Sequence, residues 1–89
     1  MQIVENYKLF KILLLTRSQL ISTGGYAICD NCCKPMQQGY YIAVLNMTYC
    51  QMHYEKWIET AINHPEDNEY ENFAYNRMYE FITKISSEK

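Results

Sequence analysis

Glycine is scarce in this chain, with three residues in 89. Gly24-Gly25 and Gly39 read as turn residues, and no glycine-rich loop of the kind that cradles phosphates can be built from them. Long apolar runs are also missing. The stretch from Leu9 to Leu15 is interrupted by Lys11, and it is far short of the roughly 20 residues that span a bilayer. No small-residue cleavage site follows it, so no export signal is expected and the cytoplasm is the expected compartment. Positive charge is thin. Lys8, Lys11 and Arg17 against Glu5 give residues 1–28 a net charge of +2, residues 65–89 carry −3, and the whole chain carries −2. A basic patch is therefore absent, and with it the electrostatic footprint of a nucleic-acid reader. No nucleophile–base pair and no paired carboxylates in an apolar setting appear, so an enzyme is not expected.

Nearly half the residues are apolar, and nine tyrosines, three phenylalanines and one tryptophan supply aromatic area. Such a composition folds, but a chain this small often needs a disulfide or a metal to hold it. It reads as one domain of three segments: an N-terminal helix (1–25), a central unit (26–64) and a C-terminal helix (65–89). In the first, Tyr7, Phe10, Leu14 and Ile21 recur at helical spacing from about Val4, with Thr23-Gly24-Gly25 as the stop. Leu13 to Leu15 make that helix apolar nearly all round, which calls for burial against the domain or a partner. In the last, Pro65 suits a first helical turn. Glu66, Asp67 and Glu69 follow at the positive end of the helix dipole. Tyr70, Ala74, Met78, Phe81 and Ile85 then form an amphipathic stripe.

All four cysteines and one of the two histidines lie between Cys29 and His53. Residues 1–28 contain neither. Two pairs stand out, Cys29-x-x-Cys32 and Cys50-x-x-His53, separated by seventeen residues. Three thiolates and one imidazole suit tetrahedral zinc. A Cys-x-x-Cys turn brings two sulfurs together beside backbone N–H groups. If Cys50 opens a helix, His53 faces the same side one turn later. Gly39, the strand "YYIAVL" and a turn near Asn46 form a hairpin that returns the second pair to the first. A thioredoxin-like redox pair would need an αβ sheet that this length does not supply, and disulfides would need export. With four protein ligands the site is closed, hence structural. Cys33 is the alternative second ligand, through a Cys-x3-Cys spacing; otherwise it is a spare thiol. His64 reads as a linker or capping residue, and Trp57, Ile58, Ala61 and Ile62 as the core face of the helix that follows the ligands.

A Cys-x-x-Cys knuckle, a hairpin and ligands on the first turn of a helix resemble the treble-clef zinc finger. Within that group, "CDNCCKPM", "GYYIA" and above all "YCQMHYEKW" resemble the second zinc-binding half of a LIM domain. The resemblance spans residues 26–62 and does not include the upstream half of such a domain. It implies one structural zinc on Cys29, Cys32, Cys50 and His53. The expected fold is small and α+β, a treble clef flanked by an N-terminal and a C-terminal helix.

The functional expectation is a protein-interaction module, adaptor or regulator. Its tyrosines combine apolar area with a hydrogen-bonding tip. Phe10 and Ile12 to Leu15, with Tyr70, Phe73, Met78, Phe81 and Ile82, offer more apolar surface than one treble clef covers, so a homodimer is expected too. The alternative is a small DNA-binding transcriptional regulator using Lys8, Lys11, Arg17, Lys34 and Lys56. The Asn- and Tyr-rich, arginine-poor composition suggests a bacterial, phage or mobile-element accessory protein.

Overall fold

The structure, a computed structural model, describes residues 1–87. Four strands, β1 (Gln2–Val4), β2 (Ile12–Thr16), β3 (Gln38–Ile42) and β4 (Met47–Tyr49), form an antiparallel sheet in sequence order. Three helices join them: α1 (Arg17–Ser22), α2 (Gln51–Thr60) and α3 (Asn68–Ser87), with a 3-10 turn at Pro65–Asp67 ahead of α3. The chain is thus a small α+β fold.

Side chains alternate along β2 and β3, and each face of the sheet is covered by a different helix. Leu13, Leu15, Tyr41 and Ala43 pack with Leu20 of α1 and with Ala74 and Ile82 of α3. Ile12 and Ile42 point the other way and pack with Phe10 and with Tyr54 and Ile58 of α2. On that side the Tyr40 and Tyr54 rings stack, 4.4 Å between centroids. The sheet is therefore the middle layer of three.

This arrangement corrects the N-terminal helix expected over 1–25. Those residues form β1, a loop, β2 and only six residues of helix. The physical reason is the burial of β2 on both faces. A strand covered on both sides reads as a continuous apolar run rather than an alternating one, and such a run is indistinguishable from a buried helix by periodicity. The helix stop survives in the shorter element. Thr16 and Gln19 make a capping box at the start of α1, Thr23 closes it, and Gly24 follows at φ 90°. The surplus apolar surface assigned to this segment is used internally, since Phe10, Ile12, Leu13 and Leu15 are all buried.

The C-terminal helix forms, but its buried face is rotated from the expected stripe. Ala74 and Ile82 are buried, Met78 and Ile85 half-buried, and Tyr70 and Phe81 exposed. Glu71 is buried too, and its carboxylate accepts a hydrogen bond from the Lys11 N–H at 3.1 Å, tying α3 to the start of β2. Among the described residues, no side-chain nitrogen or oxygen is buried without a partner.

Gly39 pairs with Leu15 in the middle of the sheet. A Cβ at this position would lie 2.5 Å from Thr48 Cγ2, 2.9 Å from Met36 Cε and 3.1 Å from Leu20 Cδ1. Thr48 is β-branched and held in β4, so it has little room to yield. Gly39→Ala is expected to cost about 1–3 kcal/mol, the range for overpacking a filled core. Urea denaturation should show a lower midpoint at unchanged slope.

Candidate metal centre

The knuckle is a tight hairpin over residues 27–36. The Cys29 N–H donates to the Lys34 carbonyl at 3.0 Å, the Met36 N–H to the Ala27 carbonyl at 2.8 Å, and Ile28 bridges to Pro35. The Cys33 N–H donates back to the Cys29 carbonyl at 2.8 Å and closes the turn. Asp30 then stitches the knuckle to β4. Its N–H donates to the Thr48 carbonyl at 2.8 Å, and its carboxylate accepts from the Thr48 N–H at 2.7 Å. β4 leads directly to Cys50, which takes the N-cap position of α2 with extended backbone angles. His53 follows one turn into the helix. Asp30 and the β3–β4 pairing thus hold the knuckle beside the start of α2.

One ligand atom from each of Cys29, Cys32, Cys50 and His53 lies within 4.8 Å of the others, an arrangement that can hold a metal ion. The imidazole turns Nδ1 toward the sulfurs, 3.2 Å from Cys50 Sγ and 3.8 Å from Cys29 Sγ, and Cys32 and Cys50 Sγ are 4.0 Å apart. All four cysteines are free thiols. Cys29 is fully buried, while Cys32, Cys50 and His53 are half-buried.

The two thiols with perturbed acidity shift in opposite directions. Burial pushes Cys29 up, but the backbone N–H groups of Cys50, Cys32 and Asn31 outweigh it and hold its pKa below the ordinary thiol value. The Asn31 N–H donates to Cys29 Sγ at 3.4 Å. Burial also raises Cys50; the His53 amide opposes this, and the neighbouring Cys29 and Cys32 sulfurs add to the rise. Without metal, Cys29 therefore favours the fold at high pH and loses that contribution as pH falls through its own value. Cys50 contributes in the opposite sense, at pH below the ordinary thiol range.

No known protein family, curated protein or solved structure matches the chain.

The structure brings the expected set together and leaves Cys33 out. Cys33 is exposed, has φ 62°, and is not among the four residues whose ligand atoms converge. His64 is also remote from the four; it precedes the 3-10 turn, with Nδ1 3.7 Å from Glu66 Oε1. Ile62, expected in the core, lies beyond the end of α2 and is exposed. Asp30 was not anticipated. A carboxylate inside a knuckle reads from sequence as a solvated charge, and only the return of β4 beside it reveals two backbone contacts.

Two outcomes follow from the turn. Cys33→Ser should leave metal stoichiometry and melting temperature unchanged. Cys32→Ser should weaken metal binding by more than the roughly 10–100-fold typical of losing an outer-shell partner, as measured by competition with a chromophoric chelator. Separately, protons compete with a metal for thiolate and imidazole, so affinity should fall as the pH is lowered. Calorimetry in buffers of different ionisation enthalpy should record proton release on metal binding.

Proposed function

We propose that the chain is a zinc-stabilised protein-interaction module, in which a treble clef like the second half of a LIM domain forms the central unit. The observation that carries the metal assignment is the convergence of three sulfurs and one nitrogen. Zinc bonds of about 2.3 Å to sulfur and 2.0–2.1 Å to nitrogen imply tetrahedral edges of about 3.6–3.8 Å. The distances of 3.8 and 4.0 Å are close to such edges, and the 3.2 Å approach lengthens slightly on metal entry. Four protein ligands leave no open position for a substrate or a water, so the zinc is structural. The order of knuckle, β3–β4 hairpin and α2 supports the treble clef.

Exposed aromatic and aliphatic side chains support the interaction role. Tyr7, Leu9, Tyr26, Ile62, Phe73 and Phe81 are large and solvent-facing, and aromatic residues of this kind anchor protein interfaces. Many of the cations are already occupied. Lys8 Nζ donates to the carbonyls of Glu59 and Ala61, Lys11 stands over the Tyr75 ring, and Arg17 reaches the Met36 carbonyl. That weakens the case for the DNA-binding alternative. Among the described residues no helix is long and apolar enough to cross a membrane, and the proposed setting is the cytoplasm.

Elemental analysis of the purified chain should give one zinc per protein. Chelation should abolish the near-UV dichroism of Trp57, because structural zinc contributes on the order of 10 kcal/mol or more. The interaction role is tested by selecting a displayed peptide library against the zinc-loaded chain, with the chelated chain as counter-selection. Enriched peptides that bind only the zinc form support the reading. Tight binding of random duplex DNA with a steep salt dependence, and no enriched peptide, would replace it with the DNA-binding one.

A further inference from the structure

The thiols of the Cys/His group differ in what holds them and in how far solvent reaches them. Cys32 and Cys50 Sγ lie 4.0 Å apart, and both residues are half-buried. Cys29 is fixed in the core instead. It is 0% exposed, belongs to the apolar cluster of Leu13 and Tyr41, and its sulfur accepts the Asn31 N–H at 3.4 Å. Drawing Cys29 onto another sulfur would disturb that packing, whereas joining Cys32 to Cys50 moves only side chains at the rim. Cys33 is exposed but stands outside the converging group. A bond from Cys33 to Cys32 would be strained, because consecutive Cα atoms, about 3.8 Å apart, are closer than the usual span of a disulfide.

Cys32 and Cys50 also belong to the two elements that a zinc ion would join. Cys32 sits in the knuckle, and Cys50 is the N-cap of α2. The hydrogen bonds of Asp30 to Thr48 and the β3–β4 pairing already keep those elements side by side. A bond between the two sulfurs therefore bridges the same elements as the metal. It requires the sulfurs to close from 4.0 Å to about 2.0 Å. The cross-link spans 18 positions and restricts the unfolded chain as other disulfides do.

We propose that Cys32 and Cys50 form an oxidation site, at which hydrogen peroxide converts the zinc-loaded protein into a metal-free form that keeps its fold. One thiolate attacks peroxide, the O–O bond breaks, a sulfenic acid forms and hydroxide leaves. The second thiolate attacks that sulfur, so the S–S bond forms, the S–O bond breaks and a second hydroxide leaves. The two sulfurs give up two electrons, peroxide accepts them, and two protons from solvent turn both hydroxides into water. Cys29 and His53 then remain, half of the ligand set and too few for a structural zinc. A dithiol reduces the bond and restores the set. In the proposed cytoplasmic setting such a disulfide is transient and redox-sensing. This proposal rests on the zinc reading and deepens it by naming how the site is regulated.

The zinc-loaded full chain and its Cys33→Ser variant are titrated with hydrogen peroxide beside a chromophoric zinc indicator, and the products are peptide-mapped without reduction. One zinc should be released for every two thiols lost, and the map should link Cys32 to Cys50 in both proteins. Trp57 packs on Phe10, 4.7 Å between ring centroids, so its near-UV dichroism reports the docking of α2. That signal should survive oxidation, in contrast to its loss on chelation of the reduced chain. A dithiol with added zinc should return the starting form. Zinc retained after two thiols are oxidised, a map dominated by a bond to Cys29 or Cys33, or loss of the Trp57 signal on oxidation would overturn the proposal. A chain purified without zinc would refute the zinc reading on its own. The map of that chain then decides the oxidation site alone, a Cys32–Cys50 bond supporting it and any other bond overturning it.

Discussion

The two-sided burial of β2 and β3 is the constraint on which the rest of this fold depends. Odd and even positions of Ile12–Leu15 and Tyr40–Ala43 enter different cores. A one-residue slip in register would exchange those faces and leave both cores mismatched. Holding that register fixes where α2 and α3 lie. It also places β4 beside the knuckle, and so Cys50 and His53 beside Cys29 and Cys32. The Cys/His group therefore comes together as a consequence of strand pairing.

The centre and the core are mechanically joined. Cys29 belongs to the same apolar cluster as Leu13, Leu15 and Tyr41, and Cys32 and Cys50 pack against it. Asp30 links the knuckle to β4 by two backbone hydrogen bonds. A metal at this position would draw together elements that already touch, which favours tight binding because little reorganisation is needed. The opposite shifts of Cys29 and Cys50 fit that picture. Backbone N–H groups hold the Cys29 thiol below its ordinary value, while burial and the neighbouring sulfurs raise Cys50, where a bound cation would supply balancing charge.

Large apolar side chains remain exposed on several elements, among them Ile3 of β1, Met52 of α2 and Phe73 of α3. Tyr7 and Leu9 lie on the loop that is bonded to the end of α2, while Tyr26 and Phe81 border a cleft beside α3. The first group depends on Asn6 and Lys8, whose side chains satisfy loop and helix-end carbonyls. Polar side chains here act as scaffolding for apolar display, which reverses the usual division between core and surface.

The grouping of Cys29, Cys32, Cys50 and His53 was legible from sequence. Cys-x-x-Cys makes a turn whatever surrounds it, Cys50 and His53 share a face of any helix that starts between them, and Pro65 followed by acids starts a helix on local energetics alone. The stop at Thr23-Gly24 was legible for the same reason. What Leu13 to Leu15 became could not be decided locally, because a short apolar run satisfies a buried helix and a buried strand equally. Pairing with β1 and β3 settled it by satisfying the backbone groups on both sides. Likewise, nothing in Leu9 or Asp30 as letters distinguishes a left-handed loop residue and a backbone clamp. Those roles depend on partners distant in sequence, the end of α2 for the loop that carries Leu9 and β4 for Asp30.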